Sequence, residues 1–451
     1  MSSLKQKFSL LTGIAMVVGV VIGSGIFFKA DDVIIASQGS LPLALFAWII
    51  GGLIMLFSAL SFSVVSSKYA NANGLVDYAE AAYGRTFGFY VNWFSTYIYY
   101  PSLVAVLAWV SGLYTTILFG LTEGDPSNVP STWIFALVYV IGIFVLNYVS
   151  PKLAGKFQVS AMFIKLVPLV LVAIVGTVGG FLNGVTIDNL TIAADTGSSA
   201  GGIGIAVLAT AFAYDGWIAV TSINAELKNP KKTLPLALTF GAFIIISIYL
   251  LYNIGLAGTI SNQAFVDQGN GAINLGVTTL FGSVATTFLI LFVVISCLGT
   301  LNGLILAATR GLYSLGIRDQ GFKPTLFTKT NVNNAPTSSI IGAAVLVTFW
   351  SIIWFGNFQG YWGAFMDTSE LPIALLYGLF ISLYIWMMIS FKDESILRRF
   401  VFPALAIAGS VFIVIAAVQK DLFFVFLLIT GLFLVVGFFA NRRVKTTEKQ
   451  K

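Results

Sequence analysis

Apolar residues run in long blocks along the whole chain, and polar residues gather in the short gaps between them. A helix needs roughly 20 mostly apolar residues to cross a bilayer. That criterion predicts twelve spans, at about 9–36, 41–66, 86–119, 131–149, 157–181, 201–226, 234–259, 277–313, 338–356, 364–390, 399–418 and 420–440. The third and eighth blocks exceed the minimum, which predicts tilted or extended helices. Two blocks are interrupted. Residues 19–28 read GVVIGSGIFF, with Gly23-Ser24-Gly25 near the middle of the first block. The sixth block reads GIAVLATAFAYDGWIAVTSINAELKNP, with Ala213-Tyr214-Asp215-Gly216-Trp217 inside it.

Glycine costs about 1 kcal/mol against alanine in a helix. Unwound backbone facing lipid is not tolerated, so a break at this depth is buried in protein or lines a cavity. Close helix packing is the competing reading, since Gly19-x-x-x-Gly23 matches a small-residue packing motif. The sixth block favours a break. An ionisable group inside a span marks a functional position by default, although Asp215 could also only cap a half-helix. The two interruptions lie five spans apart, so the second set of five enters from the opposite face. Paired broken helices in two inverted halves point to a binding site at the membrane midplane. The expected organisation is one transmembrane domain over residues 1–451, with repeats at about 8–181 and 201–390 and extra helices at about 399–440.

A broken helix exposes free N–H groups where its second half starts and free C=O groups where its first half ends. The first attract an anion and the second a cation. An α-amino acid carries both charges side by side. Its carboxylate fits the amides of Ser24, Gly25 and Ile26. Its ammonium fits the carbonyls of Val20, Val21 and Ile22, with those of Phe212, Ala213 and Tyr214. Gly23, Gly25 and Gly216 leave no Cβ to hold a ligand off the backbone.

Composition narrows the class. The chain is 58% hydrophobic and 9% charged, with no histidine and one cysteine, Cys297. This excludes imidazole chemistry, an internal disulfide and a cysteine metal cluster. No catalytic residue, metal or cofactor is expected, and no basic patch suggests nucleic acid. The net charge of +6 follows from basic residues on alternate loops, which places both termini in the cytoplasm by the positive-inside rule. The N-terminal stretch reads as the start of a span, not a cleaved signal. Lys29, Lys165 and Lys420 break the alternation. Lys29, Asp31 and Asp32 are expected solvated at the outer surface, and Asp367 and Glu370 at a vestibule rim. Asp77 and Glu80 fall on a short inner amphipathic helix, positioned for inner-gate contacts or surface pairs. Asn189-Leu190-Thr191 fits a glycosylation sequon in an outer loop.

These residues resemble a known family. Ile22-Gly23-Ser24-Gly25-Ile26-Phe27 is similar to the first-span signature of the amino acid–polyamine–organocation superfamily. Phe212-Ala213-Tyr214-Asp215-Gly216-Trp217, followed by Glu226-Leu227-Lys228-Asn229-Pro230, resembles the sixth span of the L-amino acid transporter family in its bacterial branch. Gly74–Gly84 and Ser296–Gly303, with Arg310 and Arg318–Gly321, agree with its loop after the second span and its eighth span. The resemblance implies an all-α, LeuT-like membrane fold of five plus five inverted spans and two more, with the first and sixth helices unwound. It implies L-amino acid transport, often by sodium-independent exchange, and makes Phe212 an aromatic gate over the substrate.

Lys165 lies about two turns into the fifth span, about 12 Å of helix. It either snorkels to the inner face or sets its ammonium on carbonyls of the broken first span and the hydroxyl of Ser296. Family members carry a lysine here where sodium-coupled relatives bind a cation. A fixed charge would do the cation's work; a titrating one would permit proton coupling. The expected protein is a plasma-membrane exchanger of small neutral L-amino acids working by alternating access, with proton symport as the alternative. Its partners are the amino acid and the lipid bilayer, with no partner subunit required. A channel would show a polar stripe or charged rings, and an embedded enzyme a catalytic constellation; neither is present.

Overall fold

The computed structural model describes residues 9–69, 74–122, 125–192, 199–218, 227–268, 272–333 and 335–448. Among these, helices joined by short turns make up the fold and no sheet forms. Two half-helices, α1 (Leu10–Val21) and α2 (Gly25–Ala36), meet at 55°. α3 (Leu41–Lys68) follows, then the short α4 (Leu75–Tyr83). The long apolar helices continue with α5 (Arg85–Leu118), α6 (Pro130–Val149) and α7 (Pro151–Leu182). The second half holds α8 (Ser199–Ala213), α9 (Pro230–Ala257) and α10 (Ala272–Ile317), which kinks at Gly282. α11 (Thr337–Phe358), α12 (Leu371–Ser390), α13 (Leu397–Val418) and α14 (Phe423–Glu448) complete it.

Among the described residues, 10 helices are long and apolar enough to cross a membrane, and the bent α1–α2 pair makes 11. Their bounds mostly follow the expected blocks within a few residues, but the block expected at 157 starts at Pro151 and the one expected at 364 starts at Leu371. The sixth block differs. Its helix ends at Ala213, Tyr214–Gly216 form a turn, and residues 219–226 lie outside the described ones. The expected Glu226 motif position also falls outside.

Sequence explains most of the boundaries. Proline stands in the first turn of α3, α6, α7, α9 and α12, where its missing N–H has no intrahelical acceptor anyway. Small residues set the helix spacing. A Cβ on Gly255 of α9 would lie 2.2 Å from the Val172 carbonyl of α7, so these backbones touch. Within a bilayer, such close packing stands in for the hydrophobic effect between helices. The outward faces of α6 and α7 carry exposed apolar side chains such as Ile134, Leu137, Val159 and Phe163, as expected for surfaces that meet lipid tails.

One loop expectation is corrected here. Asn189 is buried, and its side-chain amide donates to the carbonyls of Ala257 (2.6 Å) and Ile260 (3.0 Å). It ties a loop helix to the end of α9 and is not offered as a glycan acceptor.

Candidate functional site at two broken helices

α1 ends with the bond from the Ile22 N–H to the Val18 carbonyl, 2.9 Å. Ile22 then turns to ψ 99°, and α2 restarts at Gly25. The last four carbonyls of a helix and the first four amides of the next lack intrahelical partners. Here Gly19 O accepts from the Lys165 ammonium, and Val21 O lies 3.2 Å from the Tyr249 hydroxyl. Ser24 O takes the Phe27 and Phe28 amides. No described group accepts from the amides of Ser24, Gly25 and Ile26. The Ser24 hydroxyl is buried and also unpartnered.

The sixth-block break faces this one. α8 stops at Ala213, and the Asp215 amide makes only a long bond, 3.4 Å, to the Phe212 carbonyl. Gly216 adopts φ +98°, which side chains resist. Glycine lets the breaks touch. A Cβ on Gly25 would lie 2.7 Å from Ala213 Cα, and one on Gly216 would lie 3.2 Å from Val20 Cγ1. The Tyr249 hydroxyl of α9 sits between them, 2.9 Å from Ala213 O on the other side.

A cavity of about 300 Å³ opens beside the breaks. Of the expected residues, Val20, Val21, Gly23, Ser24, Gly25, Lys165, Phe212, Asp215 and Gly216 line it. Ile22, Ile26, Ala213, Tyr214 and Ser296 do not. Ile22 and Ile26 point into the apolar core. Tyr214 donates to the Trp48 carbonyl at 2.9 Å, and its ring packs on Trp48 and Tyr249. The Ala213 carbonyl faces Tyr249. The Ser296 hydroxyl is buried without a partner, so Lys165 does not reach it in this arrangement. Its ammonium settles on Gly19, one residue before the expected carbonyls. Gly19, assigned from sequence to helix packing, therefore belongs to the cavity wall.

α5 and α10 add residues that the pattern alone did not single out. Tyr99, Tyr100, Leu103 and Leu107 come from α5, and Thr300 and Ala307 from α10. Tyr99 donates its hydroxyl proton to the Asp215 carboxylate, so the one carboxylate on this wall among the described residues is held by a phenol. Tyr99 ends a π-helical turn over Ser95–Tyr99, and Tyr100 is the first residue after it. Wide turns of this kind recur at functional sites. Pro101 supplies the cause, because it has no N–H to give Tyr97 four residues back. The freed Tyr97 carbonyl accepts from Trp350 Nε1 at 2.9 Å. Pro101 inside an apolar run was the available signal for this bend.

Both ends of the bundle carry ion pairs. At the α4 end, Arg318 binds Asp77 (2.5 Å) and Glu80 (2.7 Å), and Lys68 binds Asp393 (2.5 Å). The expectation for the other end is corrected. Lys29 and Asp31 are 2% and 3% exposed, and Asp367 and Glu370 are buried too. Lys29 Nζ lies 2.7 Å from Glu370, 2.9 Å from Asp32 and 3.6 Å from Asp367. These residues converge from distant parts of the chain, and a lone lysine in a span gives no hint of it.

The family described as "Amino acid permease" matches residues 8–449. The serine/threonine exchanger SteT of Bacillus subtilis (strain 168) is 32% identical over 71% of this chain and 70% of its own length. The human b(0,+)-type amino acid transporter 1 is 26% identical over 92% of this chain and 83% of its own. The human cystine/glutamate transporter is 27% identical over 69% of this chain and 61% of its own.

Proposed function

From the premise that this chain belongs to the amino acid permease family, we propose that it exchanges small neutral L-amino acids without sodium, by alternating access. The family and its relatives are transporters, so the chain is a multi-pass membrane transporter of amino acids and not an enzyme. In the proposed fold, α1–α7 and α8–α12 are two inverted five-span halves of a LeuT-like unit, α13 and α14 stand outside it, and both termini are cytoplasmic. The α2 mouth then faces outward and the α4 end inward.

One observation carries the reading: the free amides of Ser24–Ile26 begin at Ser24 and Gly25, which line the same cavity as the sixth-block break, and the Ser24 hydroxyl there is orphaned. The substrate carboxylate sits on those amides. Its ammonium sits on the Val20 carbonyl, which has no donor among the described residues, and on the exposed wall beyond it. Phe212 closes over the cavity as the gate, its ring edge-on to Phe28 at 5.9 Å. Lys165 supplies the positive charge that a coupling ion would otherwise bring to the end of α1. The relatives include a serine/threonine exchanger, which supports small hydroxylated or aliphatic substrates.

The test is uptake of labelled serine into liposomes holding the purified protein, with and without internal amino acid. The expected result is sodium-independent uptake only into loaded vesicles. Equal uptake into empty vesicles, driven by a sodium or proton gradient, would overturn exchange.

A further inference from the structure

The cluster around Glu370 holds a second cation. Lys420 Nζ lies 2.8 Å from Glu370 and 3.7 Å from Asp367. Glu370 therefore bridges two ammonium groups with its two oxygens, Lys29 on Oε1 and Lys420 on Oε2. Lys29 rides on α2, which starts at the break. Lys420 sits in the turn between α13 and α14, the pair outside the two halves. Asp367 is fixed beneath them by the Ser369 amide (2.9 Å) and hydroxyl (2.5 Å). Lys29 also reaches the substrate cavity's roof, 5.7 Å from the Phe212 ring centroid.

We infer that Lys29 and Lys420 form an ionic latch at the outer mouth, in which Lys29 locks the closed state and Lys420 is the positioning residue that lets it open. The inference rests on the alternating-access reading above. When α2 swings out, Lys29 leaves Glu370 and Asp367. Two buried carboxylates without a cation are strongly disfavoured. Lys420 stays on both and neutralises them, so the open state survives. Without Lys420, three carboxylates compete for Lys29 and the mouth is held shut. The two lysines touch the same carboxylate, yet their removal acts with opposite sign.

The test uses Leu107→Cys, on the cavity wall, as a reporter in intact cells expressing the full chain. A membrane-impermeant maleimide is added outside; the one native cysteine, Cys297, is buried and gives the background. Lys29→Met is expected to label about tenfold faster and Lys420→Met about tenfold slower, the change that about 1.4 kcal/mol of closed-state bias gives. Lys420→Arg keeps the reporter rate, and Lys420→Met with Asp367→Asn restores it. Faster or unchanged labelling in Lys420→Met would overturn the latch, as would a slowed Lys420→Arg. Should Lys420→Met not reach the membrane, Asp367→Asn alone is expected to speed labelling, and an unchanged or slower rate overturns the proposal. Exchange by the wild-type chain is measured in liposomes alongside. Its absence would sink the transport reading, whereas the labelling series bears on the latch alone.

Discussion

At the residue scale, single atoms decide whether the two breaks can meet. Gly25 has no room for a Cβ, whose nearest neighbour at 2.7 Å would be backbone of α8. Gly23 has slightly more, since its Cβ would meet the Thr300 hydroxyl at 3.0 Å, the end of a side chain. Gly25→Ala is therefore expected to cost about 1–3 kcal/mol of stability, as overpacking does, and to abolish thermal stabilisation by substrate. Gly23→Ala should only weaken it, and equal effects from the two would contradict this placement. Lys165→Met keeps most of the side-chain volume and removes the charge from Gly19. A hydrogen bond to a charged group contributes about 1.5–3 kcal/mol, so exchange should fall by about ten- to a hundredfold while surface expression holds. Normal flux in that variant would remove Lys165 from the mechanism.

At the element scale, the helices owe their irregularities to a few residues, and these differ in how well the sequence announces them. Glycines and a carboxylate inside apolar blocks stand out against lipid, so both breaks were legible. Tyr99 and Tyr100 were not, because aromatics in an apolar run look like ordinary core. Their aim depends on the wide turn before Pro101 and on Trp350, which stands 253 residues from the Tyr97 carbonyl it satisfies. Trp350→Phe keeps a ring against Phe426 and Phe433 but leaves that carbonyl without a donor. The expected cost is about 1–3 kcal/mol, read as a lower unfolding midpoint together with weaker substrate binding. Unchanged binding would mean that the turn does not orient the tyrosines. The cluster around Glu370 was illegible for a related reason. Lys29 and Glu370 are 341 residues apart, and no local pattern marks them as partners.

At the scale of the whole molecule, ion clusters close the bundle at both ends and the cavity lies between. The Lys29–Glu370 cluster is expected to resist acid. Asp367 sits in the turn before α12, where burial would push its carboxyl up. Lys29, Lys420 and the Ser369 hydrogen bonds outweigh that and hold it well below the usual carboxylate range. A carboxylate with a depressed folded value stabilises the fold above its ordinary value and loses that contribution as pH falls through the folded one. Stability from this end should therefore hold from neutrality down through about pH 4, the ordinary aspartate value, and decline only below it. Melting curves against pH check this by comparing the wild type with Asp367→Asn; a difference that vanishes between about pH 6 and 5, above that value, would contradict it.

The central claim is that the two breaks together hold the charged ends of one amino acid, and ligand analogues test both ends at once. Competition against labelled serine by alanine, alaninamide and N-acetylalanine separates the carboxylate from the ammonium. The account predicts that alanine competes, whereas the amide, lacking the anion for Ser24–Ile26, and the acetylated form, lacking the cation for the α1 carbonyls, do not. Competition by either blocked analogue at the strength of free alanine would contradict it.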